Sequence, residues 1–325
     1  MKRATISIAA ALMATLAIMA MAGCSSQAAS SSASAASTAS SSASASAAEN
    51  PQSESIAELK DSLANVPSFK SVTITQKDWS LFGEDFDLVM GEASKVATQS
   101  MATSPDSAAA ESNTTDVEAI STTTVCKFEG LDDQPKTSKV TEQGDIIIQY
   151  YTNGDNAIFV SDGPAYSGTT EQFDLPYAGG VDAYLKSEIG DLNMLIDSAS
   201  AVNRGQTDEM ITYELVIDPE KYIATDKVLE MLAGGGSPLE QCFVTIGFDK
   251  DGHIAALSRV TAFTDITFVK ALEFTDFDST VVDPMPEATS TYEEMVADMQ
   301  AKIDAQPDDP NMHDHDEGII GNEAK

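Results

Sequence analysis

The sequence predicts an α+β fold, a strongly curved antiparallel sheet that is apolar on its inner face and packed on two or three helices. Three observations predict it. Apolar residues alternate at period two in several runs, as in Ile211, Tyr213, Leu215 and Ile217. Short glycine turns such as Asn153-Gly154 and Asp249-Lys250-Asp251-Gly252 join neighbouring runs antiparallel. Helical stripes fall between strands in the order helix, strands, helix, strand, helix, meander, which is not the alternation of a doubly wound nucleotide fold.

The chain opens with Met1-Lys2-Arg3, an apolar run from Ile6 to Met21, and Ala22-Gly23-Cys24. A basic start, a short apolar stretch and small residues before the cut describe an export leader over residues 1–23. A cysteine directly after Ala22-Gly23 is what bacterial lipoprotein processing recognises, so Cys24 is the expected lipidation site. An uncleaved membrane helix needs about 20 apolar residues, and Thr5, Ser7 and Thr15 interrupt this run. Met21 stands where the lipobox usually has Leu. A diacylated, palmitate-type Cys24 supplies the two chains that stable anchoring requires. Residues 24–50 then read as the lipidated cysteine and a Ser/Ala-rich linker with too little apolar bulk to fold. As a flexible coil the linker spans roughly 25 to 30 Å.

Residues 51–286 suit one domain with a sizeable core. Ser55 and Glu58 have capping-box spacing, and Ile56, Leu59, Leu63 and Val66 form a helical stripe that Pro67 ends. Val72, Ile74 and Gln76 alternate as a first strand. Residues from about 97 to 117 turn to Ser, Thr, Ala, Asn and acid, which reads as a surface insertion. Residues 122–128 and 241–248 are strand-like and carry Cys126 and Cys242, an even pair compatible with a disulfide or with two separate buried thiols. Around Asn153-Gly154 a type I′ hairpin would pair Ile148 with Phe159 and Tyr150 with Ala157. Val181, Tyr184, Leu185, Ile189, Leu192, Leu195 and Ile196 form an amphipathic helix. Asp218-Pro219 starts another helix, and Gly234-Gly235-Gly236 ends it. Cys242, Val244, Ile246 and Phe248 share one strand face. The following three-residue turn, with Gly252 left-handed, would pair Phe248 with Ile254 and Ile246 with Ala256. Ile266, Phe268, Leu272 and Phe274 mark the last strand. Residues 287–325 are a C-terminal helix and an acidic tail, with Ser290 and Glu293 capping Tyr292, Met295, Val296, Met299 and Ile303 outside the main sheet.

The stretches IAELKDSLANVPSFKSVTIT, IIIQYYTNGDNAIFV, VTIGFDKDGHIAAL and LEFTDFDSTVVDPMPEA resemble, in order and texture, the LolA-like lipoprotein-carrier superfamily with its LppX/LprG-type lipid-binding lipoproteins. The likeness spans most of residues 53 to 287. It implies an unclosed β half-barrel around helices, with a hydrophobic cavity between them for acyl chains. The insertion near 97–117 and the extension after Pro286 lie outside the family pattern.

Of the 18 basic residues, Lys2 and Arg3 belong to the leader, leaving 16 against 52 acidic. That charge excludes nucleic acid as a partner and repels the body from anionic headgroups within about 8 Å. No GxSxG, HExxH, CxxC or phosphate-loop pattern occurs, so an enzyme is not expected and no cofactor is implied. Asp249-Lys250-Asp251-Gly252 lacks the later calcium ligands and reads as a turn. Asp308, Asp309, His313, Asp314, His315, Asp316 and Glu317 read as a solvated tail rather than a metal site.

The leading reading is a membrane-anchored, extracytoplasmic lipoprotein that binds a lipid or other amphiphile, as a carrier or otherwise. Ile148, Tyr150, Phe159, Tyr213, Leu215, Val244, Ile246, Phe248 and Phe268 are its candidate lining residues, and ordinary core packing is the competing account of each. The alternatives are a protein-interaction or envelope-sensing module contacting a membrane partner, and a passive envelope lipoprotein. Cys24→Ala should release or misprocess the product, read by membrane fractionation; unchanged membrane retention contradicts the lipid anchor.

Overall fold

The computed structural model describes residues 51–101, 117–130, 135–161, 163–175, 180–225 and 238–304. The leader, Cys24, the linker, Gly234-Gly235-Gly236 and the acidic tail lie outside the described residues, as does most of the insertion. In chain order the elements are α1 (Pro51–Ala64), β1 (Ser71–Phe82), α2 (Phe86–Met101), β2 (Glu118–Glu129), β3 (Lys136–Gln143), β4 (Ile146–Asn153), β5 (Asn156–Ser161) and β6 (Ala165–Thr169). They continue with α3 (Gly180–Asp197), β7 (Ala199–Gln206), β8 (Met210–Ile217), α4 (Pro219–Ile223), β9 (Leu239–Asp249), β10 (Ile254–Phe263), β11 (Thr267–Thr275), β12 (Ser290–Thr291) and α5 (Tyr292–Asp304).

The twelve described strands all join one sheet in the order β12-β6-β5-β4-β3-β2-β1-β11-β10-β9-β8-β7. Only β12 runs parallel to its neighbour. The end strands β12 and β7 do not pair, so the barrel is unclosed and the α+β half-barrel expected from sequence is observed. No described helix is long and apolar enough to cross a membrane.

Alternation sets the two faces. On the inner face Ile74, Cys126, Phe128, Tyr213, Leu215, Val244, Ile246, Leu272 and Phe274 meet Leu59 and Leu63 of α1 and Tyr184, Leu192, Leu195 and Ile196 of α3 in the main core. Each such large side chain contributes about 1.5 to 3 kcal/mol on burial. On the opposite face Val89, Ala93, Val96 and Ala97 of α2 cover Leu81, Val260 and Val269. Sequence reading assigns no helix here and begins the insertion at about residue 97, whereas the helix runs to Met101 and buries Ala97. The stripe is easily missed because half of it is alanine and it merges into a Ser/Thr-rich composition.

Residues 276–289 cross the outer face over β1 and β2 and reach β6. Thr280 Oγ1 lies 2.9 Å from Thr73 Oγ1, Val282 N donates to Glu129 Oε2 at 3.1 Å, and Asp283 pairs with Lys127 at 2.9 Å. The C-terminal extension therefore does not lie outside the sheet. Ser290 and Thr291 add to the β6 edge, and their main-chain pairing covers a row of groups that would otherwise be open.

Several local expectations shift by small amounts. Helix α1 starts at Pro51, upstream of Ser55. Thr291 and Glu294, not Ser290 and Glu293, form the capping box of α5: Thr291 N donates to Glu294 Oε2 at 2.9 Å and Glu294 N to Thr291 Oγ1 at 3.3 Å. Asp218 caps α4 as expected, accepting from Glu220 N and Lys221 N. In the β4–β5 hairpin Asn153 pairs with Asn156, so the loop is Gly154-Asp155 and Tyr150 faces Phe159 while Ile148 faces Ser161. Gly154 takes φ +59° at the first loop position, the glycine-first pattern of a type II′ turn, and its N–H is held by Pro135 O at 3.2 Å. The partners slip by two residues, so every side chain keeps its predicted face.

The β9–β10 turn forms as expected. Gly252 has φ +89°, Asp249 Oδ1 accepts from Asp251 N and His253 N at 2.9 Å, and Phe248 pairs with Ile254. Beyond it a bulge separates Ile254 from Ala256, so Ile246 pairs with Leu257 and not with Ala256.

Cys126 on β2 and Cys242 on β9 are both free and buried, so the possible disulfide is not formed. Four strand spacings separate them, about 19 Å along the sheet at about 4.8 Å each, far beyond disulfide reach. Burial pushes both thiols up to about 11, which leaves little thiolate at neutral pH. Peptide mapping should find both unmodified after iodoacetamide treatment of the native protein and both alkylated after unfolding. A mixed 126–242 disulfide peptide, or rapid native alkylation, contradicts the buried free thiols.

Candidate functional site

The bulge in β10 decides what the half-barrel encloses. With the expected Ile246–Ala256 pairing, Val244 would face Ser258 and Arg259 would point outward. In the structure Val244 pairs with Arg259, which brings the guanidinium to the inner face. A cross-sheet row results: Asp78 on β1 pairs with Lys270 on β11, Lys270 with Arg259 on β10, Arg259 with Val244 on β9, and Val244 with Leu215 on β8. Two cations therefore stand side by side within an apolar surface, an arrangement that repels unless anions attend it.

Helix α3 supplies the anions. Glu188, Asp191, Leu192 and Leu195 recur at three and four residues and so face one way. Glu188 Oε1 lies 2.7 Å from Lys270 Nζ, with the side chains only 15% and 18% exposed. From below, Asp78 lies beside Lys270 and accepts from Gln76 Nε2 at 2.7 Å. Arg259 is different: among the described residues its guanidinium forms no ion pair and no hydrogen bond, although its backbone is paired in the ladder. Its charged state is opposed by burial, which Tyr222, Cys242, Glu188 and Asp191 outweigh.

Between α3 and the sheet remains a cavity of about 10 Å³, bounded by the two acids and two leucines of α3 above and by Val244, Leu257, Arg259 and Lys270 below. It has room for one water at most. Among the described residues, the space under α3 is thus taken up by the helix's own side chains, where the family resemblance implies a hydrophobic cavity. A second depression, of about 310 Å³, opens on the outer face under α2 between Trp79, Val96 and Val117. Its charged lining residue, Glu92, is paired with Lys95 one turn on.

The nine lining residues expected from sequence divide into two groups. Tyr213, Leu215, Val244, Ile246 and Phe248 lie in the main core, with Phe268 packed against it. Ile148, Tyr150 and Phe159 lie at the far end of the inner face. There Tyr150 stacks on Phe159 at 4.9 Å between ring centroids, and Phe159 on Tyr166 at 6.2 Å. Phe173 lies edge-on to Tyr292 of α5 at 5.2 Å and touches both Tyr150 and Phe159. Gly168 admits Phe173, since a Cβ there would fall 2.7 Å from its ring. These rings are half-buried, and none of them belongs to the main core.

Sequence reasoning missed Asp78, Lys270 and Arg259. For Lys270 and Asp78 the signal was present, because each shares strand parity with core residues, Leu272 and Ile74. For Arg259 it was absent, because the bulge reverses the parity. Asp249, Asp251 and His253 also cluster, with potential ligand atoms within 4.8 Å. The Asp249 carboxylate, however, is engaged within the turn, Oδ1 by two N–H groups and Oδ2 by His253 Nδ1 at 3.0 Å.

No family model and no curated protein matches the sequence. Among solved structures, the chain is similar to the Mycobacterium tuberculosis lipoprotein LppX, at 13% identity over 71% of this chain and 98% of that one, with a TM-score of 0.35. It is also similar to LprF from Mycobacterium bovis, at 11% identity over 73% and 98% of the two chains, with a TM-score of 0.39.

Burial raises the Asp78 carboxyl above its ordinary value near 3.8, against the opposing pull of Gln76, Lys270 and Arg259. A raised folded-state value favours the neutral acid in the fold. Its stabilising contribution is therefore complete below the unfolded carboxyl's pKa and is lost as pH rises through the folded one. Asp78→Asn should melt above the parent protein at neutral pH, with the difference vanishing in acid. A variant that melts lower at neutral pH contradicts this.

Proposed function

We propose that this chain is a membrane-anchored, extracytoplasmic lipoprotein whose half-barrel holds the apolar part of a lipid or other amphiphile by burial, without turnover. The observation that carries the reading is the aromatic row Tyr150, Phe159 and Tyr166, which continues the inner face past the core helices and stays half-buried. Binding sites of this kind are mainly apolar with a few oriented polar groups. The leader and Cys24 support the anchor. Under α3 the trough is occupied by Leu192 and Leu195, so a ligand's chain would exchange with this helical stripe, apolar surface for apolar surface. Such an exchange leaves the core helices as the moving parts.

A second reading, an interaction or sensing module, is favoured by that same filled trough and by Val296 and Met299 of α5, which are 41% and 38% exposed. Organic extraction of the purified mature protein followed by mass spectrometry separates the two. The first reading expects a co-purifying amphiphile, and a fatty-acyl fluorophore whose affinity falls about tenfold in Phe159→Ala. No extracted lipid together with no probe binding overturns it and leaves the interaction module, for which crosslinking at the cell surface should recover one dominant membrane partner.

A further inference from the structure

We propose that Arg259 and Lys270 form the seat of an anionic headgroup, a carboxylate or a phosphate, so that the amphiphile held by the half-barrel is an acid and not a neutral lipid. This rests on the binding function proposed above and adds the chemical class of the ligand.

Four observations lead to it. Arg259 reaches the inner face only because β10 is bulged, so its inward position is not a by-product of regular alternation. Its guanidinium forms no ion pair and no hydrogen bond among the described residues; it lines a cavity of about 10 Å³ with Val244, Leu257, Leu192 and Leu195, which the carboxylates of Glu188 and Asp191 also bound from α3. Its charge is balanced only without direct contact, by groups that include Glu188 and Asp191, and an anion supplied by a ligand would add the charge-assisted hydrogen bonds it lacks. Lys270 beside it is already occupied, by Glu188 at 2.7 Å. Finally, the chain has only 18 basic residues against 52 acidic, yet two of them stand side by side in the interior rather than among the surface acids.

The geometry gives Glu188 a specific part. Its carboxylate sits on Lys270 where a ligand's anion would sit, and the cavity of about 10 Å³ beside it is too small for a headgroup while Glu188 stays. Binding is then an exchange of ion pairs. The ligand's anion takes Lys270 from Glu188 and adds the planar, two-pronged contact that Arg259 is built to make with carboxylate or phosphate. Glu188 is a competitor in this scheme, and its removal should help the ligand.

The test uses the full mature chain and matched C16 probes, a fatty acid, an alkyl phosphate and an alcohol, each displacing a neutral apolar fluorophore. The two anions should bind about tenfold or more tightly than the alcohol, the scale of a charge-assisted hydrogen bond. Arg259→Gln and Lys270→Gln should bring the anions down to the level of the alcohol, with circular dichroism and the melting temperature verifying the fold. Glu188→Gln should tighten the anions; if it leaves their affinity as it was, the exchange is wrong, even should Arg259→Gln fail to fold. Equal binding of all three probes overturns the headgroup seat while sparing the apolar binding site. No displacement by any probe overturns the binding function itself. Inorganic phosphate competing as well as the alkyl phosphate would assign the site to a free anion and overturn the amphiphile.

Discussion

A strand shows each neighbouring residue to the opposite face, and in a sheet covered on both sides that alternation fixes what every side chain can touch. Ile74, Leu272, Ile246 and Tyr213 meet α1 and α3 because their parity is set by an unbroken ladder of pairings across five strands. Trp79, Val269 and Val260 meet α2 for the same reason on the other side. One inserted residue in β10 changes the rule locally. Before the bulge Ile254 lies inside, and after it Leu257 and Arg259 do. The apolar core survives the change, since Leu257 is as good a core residue as Ala256 would have been, but the interior gains a guanidinium.

That guanidinium and Lys270 make the interior amphiphilic. A buried ion pair is roughly neutral for stability when complete and strongly unfavourable when one partner is removed. The pair between Lys270 and Glu188 therefore holds α3 in register over β11 more than it strengthens the fold. The force that seats α3 is its apolar stripe, Val181, Tyr184, Leu192, Leu195 and Ile196, against the inner face. Both contributions are of kinds that an amphiphile can replace, one by its chain and one by its charge.

The outer face and the edges are tied by contacts of their own. Residues 276–289 strap β1, β2 and β6 together through Thr280, Val282 and Thr289, and β12 closes the β6 edge. At the other end α1 bridges toward β7 through Glu58 and Arg204 at 3.0 Å, and toward α3 through Lys60 and Asp197 at 2.6 Å. These exposed pairs each contribute at most about 1 kcal/mol, so their part is positional.

From the sequence alone came the fold class, α1, α3, the cap at Asp218, the Gly252 turn and the apolar face of β8 and β9, because each is written in local periodicity or in a turn residue with one physical meaning. Strands β3, β6 and β7 were not legible. Residues such as Lys136-Thr137-Ser138-Lys139 carry no alternation, and they are strands because neighbours offer them a ladder. Helix α2 was hidden by its alanines, and the true loop of the β4–β5 hairpin by two adjacent residues that both suit a turn. The aromatic row was found as a set of residues but not as a place apart from the core, since period two tells the face and not the distance along the sheet. What tertiary structure alone decided is which charges lie inside: a bulge is a property of two paired strands, and no single strand's sequence records it.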